Sequence, residues 1–159
     1  MLKHIRLYED YSKLSTPGVN NDHSWQEVRD TIQQKLPFII IDFKNKKDLD
    51  KCIDEELFDD DYLVQTYYLK NEEGEVVKHP SVFIFAKGRT DLKDKAMMFH
   101  KRFDVKRLVI GEFGKTDPIL YIDGESIDIG ANIFSSLDVD DMGDYDFYRV
   151  KSNLYKFIN

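Results

Sequence analysis

Phe38-Ile39-Ile40-Ile41-Asp42-Phe43-Lys44 is an apolar run that ends in a carboxylate and an amine two residues apart. Its length and β-branched content predict a buried strand, central to a sheet. On its N-terminal side, Ser24-Trp25-Gln26-Glu27 has the form of a capping box. Trp25, Val28, Ile32 and Leu36 continue one apolar helical face until Pro37 stops it. On its C-terminal side, Leu49, Cys52, Ile53 and Leu57 again have helical spacing, closed by Asp59-Asp60-Asp61.

Farther along, Tyr62 to Leu69 and Val76 to Phe85 are rich in aromatic and β-branched residues around Asn71-Glu72-Glu73-Gly74, which predicts a hairpin. A third helix is expected from Asp91 to Phe103, with Leu92, Ala96, Phe99 and Phe103 on one stripe. Leu108 to Phe113 reads as a strand, and Ile119 to Ile129 folds back on Asp123-Gly124, a pair suited to a type I′ turn. Phe147 to Ile158 alternates around Ser152-Asn153, a terminal hairpin after an acidic loop. At the other end, Leu2, Ile5, Tyr8 and Tyr11 suggest a short amphipathic helix, with a strand as the alternative, and residues 15–23 have loop composition. The expectation is a single α+β domain over 1–159. About three helices pack on one side of a mixed or largely antiparallel sheet.

Composition fits an ordinary core: 159 residues, 42% hydrophobic and 13% aromatic. The net charge of −7 argues against a duplex nucleic acid partner and against an anionic membrane. No run reaches the roughly 18 apolar residues of a spanning helix, and the N-terminus lacks the apolar stretch of a secretory signal, so a cytoplasmic protein is expected. Cys52, the single cysteine, sits on an apolar helical position and reads as a buried structural thiol. His4, His23, His79 and His100 have no metal-binding spacing, and Ser81 lies in an apolar strand rather than a nucleophile elbow.

Three constellations could carry function. Ile41-Asp42-Phe43-Lys44-Asn45 resembles the second half of the PD-(D/E)xK nuclease signature. The resemblance implies Mg²⁺ held by Asp42, with Lys44 orienting water and Glu112 as a further ligand. The earlier acidic residue of that signature would be Asp22, which a helix separates from the strand where the family has a hairpin. Asp138-Val139-Asp140-Asp141-Met142-Gly143 has carboxylates at the first and third positions of a calcium loop and glycine at the sixth, but Met142 stands at the fifth and Arg149 at the twelfth. It reads instead as an acidic loop facing another protein through Asp138, Asp140 and Asp141, with Tyr145, Phe147 and Tyr148 as stiff contact surface or, alternatively, as core. Residues 87–107 hold eight basic residues against three acidic, a local +5 that leaves −12 elsewhere. Lys95, Lys101 and Arg102 on the third helix could receive a small anionic nucleotide; a solvated face is the alternative.

The opening Met1-Leu2-Lys3-His4-Ile5-Arg6-Leu7-Tyr8-Glu9-Asp10-Tyr11 resembles the start of many proteins of large tailed bacteriophages. That resemblance implies a virion component or a host-takeover factor. The balance of the sequence is against an enzyme. A non-catalytic protein-binding module without cofactor is the leading expectation, with homo-oligomerisation open; a Mg²⁺-dependent nuclease or phosphodiesterase and a nucleotide-binding protein are the alternatives.

Overall fold

A computed structural model describes residues 22–112, 118–122, 125–130, 132–143 and 146–158. The expected N-terminal helix or strand, Phe113, the Asp123-Gly124 turn, Asp144 and Tyr145 lie outside the described residues. In order, the elements are α1 (Asp22–Gln33), β1 (Phe38–Phe43), α2 (Lys46–Asp54), β2 (Asp61–Lys70), β3 (Val76–Phe85), α3 (Leu92–Arg102) and β4 (Val105–Gly111). There follow β5 (Ile119–Ile122), β6 (Glu125–Asp128), β7 (Asn132–Ser136), a 3₁₀ turn (Val139–Met142), β8 (Asp146–Val150) and β9 (Asn153–Ile158). The nine strands form one sheet in the order β6-β5-β4-β1-β3-β2-β8-β9-β7. Every pairing is antiparallel. The class is α+β, dominated by the sheet.

All six residues of β1 are buried, with β3 on one side and β4 on the other. Burying Ile39, Ile40 and Ile41 contributes about 1.5–3 kcal/mol each relative to exposure. Side chains alternate across the strand, so its residues feed two cores. Ile39, Ile41 and Phe43 join Leu49 and Cys52 of α2 and Leu92, Ala96 and Phe99 of α3. Phe38 and Ile40 join Trp25, Val28 and Ile32 of α1. The helices therefore lie on both faces, not on one as the element order suggests. A strand apolar on both sides needs cover on both sides, and α1 supplies the second layer.

Helix ends explain two boundaries that the sequence obscures. α1 begins at Asp22, so Ser24 lies in its first turn, buried, rather than standing as the cap. Past the C-terminus, Leu36 N donates to Thr31 O and Lys35 N to Ile32 O, with Lys35 left-handed at φ 57°. After α2, Leu57 N and Glu56 N repeat the pattern onto Cys52 O and Ile53 O, with Glu56 at φ 52°. Both ends are Schellman motifs built without glycine. At the start of α2, the Asn45 side chain accepts from Asp48 N.

The sheet curls into a half-barrel. The rings of Phe38 on β1 and Phe157 on β9 stack with centroids 6.3 Å apart. Those strands are four places apart in the sheet, about 19 Å if it were flat. Leu120 of β5 and Tyr155 of β9, near opposite rims, share the same core. The rims themselves are consecutive in sequence: β6 ends at Asp128 and β7 begins at Asn132. Three residues can span at most about 14 Å, whereas the rims of a flat nine-stranded sheet would be about 38 Å apart. Gly130, at φ 86°, supplies a left-handed backbone within this link.

Candidate functional site

Asp42, one residue before the end of β1, lies on the concave face, where alternation places it with Phe38 and Ile40. Register sets Arg107 of β4 on one side of it and Ser81 of β3 on the other; Gln65 of β2 lies beyond Ser81. The result is a polar row across four adjacent strands. Gln65 Nε2 donates to Ser81 Oγ at 3.1 Å, and Ser81 Oγ donates to Asp42 Oδ1 at 2.7 Å. The curl brings β8 and β9 over this row. Tyr148 OH donates to Asp42 Oδ2 at 2.7 Å, and Tyr155 OH to Gln65 Oε1 at 2.9 Å. Arg107 Nε donates to Asp42 Oδ2 at 2.8 Å, while its Nη2 reaches Asp146 Oδ1 at 2.9 Å and Tyr148 Oη at 3.2 Å. Tyr67 OH donates to Asp146 at 2.6 Å, and the Arg107 guanidinium lies 4.0 Å from the Tyr67 ring centroid.

Six strands thus converge on one carboxylate. Asp42, Ser81, Gln65, Tyr67, Tyr148 and Tyr155 are buried; Arg107 is 13% exposed and Asp146 57%. Burial raises the Asp42 pKa above the ordinary carboxylate value, and the Arg107 charge with the hydrogen bonds from Ser81 and Tyr148 opposes that rise. Burial also pushes the Tyr148 and Tyr155 phenols upward. Arg107 is held above its usual value despite burial, with the Asp42 and Asp146 carboxylates beside it favouring its charged form. Both Asp42 oxygens accept from protein donors and the carboxylate is fully buried, so the arrangement ties neighbouring strands into one register.

The nuclease-like residues are not brought together. Lys44 turns away and pairs with Asp104 at 2.8 Å, half exposed. Gly111 pairs with Phe38, so Glu112 follows the end of β4 at the opposite end of β1. Glu112 lies five positions beyond Arg107, the partner of Asp42, about 17 Å along a strand. Among the described residues, no three His, Cys, Asp or Glu side chains gather in a metal-holding group.

The acidic segment divides. Asp138 caps the 3₁₀ turn by accepting from Asp140 N, and Asp141 accepts from Ser136 Oγ, while Asp140 stays exposed. Met142 is buried against Phe147 and Leu154, and its carbonyl accepts from Lys156 Nζ at 2.7 Å, so the fifth position of the calcium-like loop belongs to the core. Phe147 stacks on Tyr68 and Tyr148 serves the Asp42 network, which removes both from the contact surface proposed for them. Tyr145 lies outside the described residues.

The basic region finds its counter-charges inside the chain. Lys95 Nζ meets Asp59 at 2.5 Å, Arg102 meets Glu55 at 3.1 Å, and Arg89 bridges Asp60 and Asp91. Lys101 borders a shallow depression of about 550 Å³ with Asp94, Met97, Met98 and Arg102. Much of the charge asymmetry along the sequence is therefore closed in space between α3 and residues 55–60. Cys52 is fully buried, and burial followed by the Asp48 charge pushes its thiol up to about 12.

What sequence reading misses is the rim. Among the described residues, seven large apolar side chains are exposed, and four lie on or beside β7: Phe134 (38%), Leu137 (73%), Val139 (45%) and Ile158 (38%). The signal was present as Ile133-Phe134 and Leu137-Asp138-Val139-Asp140, apolar residues interleaved with serine and carboxylate. Among the described residues, no helix is long and apolar enough to cross a membrane. Comparison with protein-family models, with curated proteins and with solved structures found no match.

Proposed function

We propose that this chain is a non-catalytic protein-binding module that docks another protein through the β7 rim and the acidic turn after it. The observation that carries this reading is that Phe134, Leu137, Val139 and Ile158 are all exposed on or beside the β7 rim, with Asp138 and Asp140 alternating with Leu137 and Val139. Stiff apolar contacts next to fixed charge are what a specific interface uses. The polar groups of the concave face, by contrast, are turned on one another. The opening residues, similar to those of tailed-phage proteins, support a virion accessory part or a host-directed inhibitor, acting in the virion or the host cytoplasm.

The test places a photo-crosslinking amino acid at position 137 and, as control, at the exposed Met98 on α3. Irradiation in host extract or with assembled virions gives one discrete adduct from position 137, and an excess of unlabelled chain suppresses that adduct whereas an excess of the chain carrying Leu137→Lys and Val139→Lys does not. Equal, diffuse labelling from both positions would overturn the reading.

A further inference from the structure

The two rims of the sheet differ in a way that names the partner. β6 is Glu125-Ser126-Ile127-Asp128, fully exposed, with a carboxylate at each end. Charges on an outer strand deter a further strand from pairing with it. β7 is Asn132-Ile133-Phe134-Ser135-Ser136, with no charge in five residues. It pairs with β9 on one side, and among the described residues no strand pairs with the other. Alternate N–H and C=O groups of β7 therefore point outward over about 17 Å.

We infer that β7 accepts an extended segment of another protein as a tenth strand, and that this segment continues into lysine or arginine residues. The inference rests on the protein-binding reading and specifies its mode. Asn132, Phe134 and Ser136 stand on the convex side, opposite Ile158, Lys156 and Leu154 of β9. An incoming strand laid beside them covers Phe134 with one of its own apolar side chains. The chain then leaves β7 through Leu137, Asp138, Val139 and Asp140, so the incoming segment passes from an uncharged stretch to a negative one. Charge also selects against a second copy. Pairing of β7 with itself would bring together two copies of a chain carrying a net charge of −7, each with its acidic turn following the paired strand.

Two nine-residue fluorescent peptides test this with the full chain. Each alternates threonine and valine over six residues; one continues with Gly-Lys-Lys and the other with Gly-Glu-Glu. The lysine peptide is expected to bind at least tenfold more tightly at low salt, with the preference shrinking as salt rises. N-methylation of alternate threonine–valine amides, in one of the two possible phases, reduces its binding at least tenfold, while the other phase leaves it unchanged. Phe134→Pro and Ser135→Pro supply the protein-side control. Neighbouring N–H groups point to opposite sides of a strand, so one of these variants keeps its β9 bond and folds, and that one loses the peptide. Ile127→Pro on β6 does not.

Equal binding of the two peptides, no binding of either at 1 mM (about −4 kcal/mol), or insensitivity to both N-methylated phases overturns the inference. So does a dimer by sedimentation that the folded proline variant converts to monomer. Crosslinks from position 137 together with insensitivity to N-methylation would leave the protein-binding reading standing and remove strand addition alone; absence of those crosslinks removes both.

Discussion

Asp42 shows how a buried charge can be sought for chemistry and found in architecture. It accepts from Ser81, Tyr148 and Arg107, and removing its charge leaves the nearly buried Arg107 guanidinium without its closest partner. Asp42→Asn is expected to destabilise the protein by about 3 kcal/mol or more, read from urea unfolding. Lys44→Ala, which breaks an exposed pair with Asp104, should change stability by less than about 1 kcal/mol. Equal effects would show that the two residues act as one unit, contrary to their separation. A second residue makes a pH statement. Burial, then the Lys106 charge, lowers the His79 pKa below its ordinary 6.5, opposed by Asp42 and a bond to the Phe43 carbonyl. The unfolded chain then takes up a proton before the folded one. His79's contribution is full above about pH 6.5 and is lost as pH falls through the window below it. Proton titration by NMR should place His79 below 6.5, and His79→Gln should flatten that part of the stability profile.

At the scale of elements, β1 is readable from the chain as an unbroken apolar run, the β2–β3 hairpin from aromatic and β-branched segments around a turn, and α3 and the β8–β9 hairpin from one dominant period each. The Leu92, Ala96, Phe99 and Phe103 stripe is buried as a 100° repeat requires. β7 was not readable: on a rim, with Asn132, Phe134 and Ser135 exposed, it has neither a buried alternation nor turn residues to mark it. The side chosen by α1 was hidden for a different reason. An apolar run fixes how much cover a strand needs, not which helix supplies it. The polar row was legible only in fragments, since Asp42, Ser81 and Gln65 each interrupt an apolar strand but their meeting depends on register. Helix ends lacking glycine offer a direct test. Glu56 is left-handed and exposed, so Glu56→Gly should raise stability by about 1 kcal/mol in thermal or urea unfolding, whereas the same change at Glu55, which is not left-handed, should not.

For the whole molecule, the curl divides protection unevenly. β1 is shielded by strands on both sides and cores on both faces, while among the described residues β6 and β7 each have one strand neighbour. Native-state hydrogen exchange should find the Ile39–Ile41 amides opening only with global unfolding and those of β6 and β7 exchanging orders of magnitude faster. Uniform protection across the sheet would contradict this arrangement. The same geometry keeps strand-locking polar groups inside and leaves the β7 edge outside, so under the proposed reading substitutions on the rim alter partner binding without disturbing the core. Residues 129–131 give this separation a measure. Because only three residues separate β6 from β7 in sequence, Asp128 and Asn132 can stand at most about 14 Å apart, which bounds how far the rims can part, while the Phe38–Phe157 stack and the Tyr148–Asp42 and Tyr155–Gln65 bonds hold the curl from within.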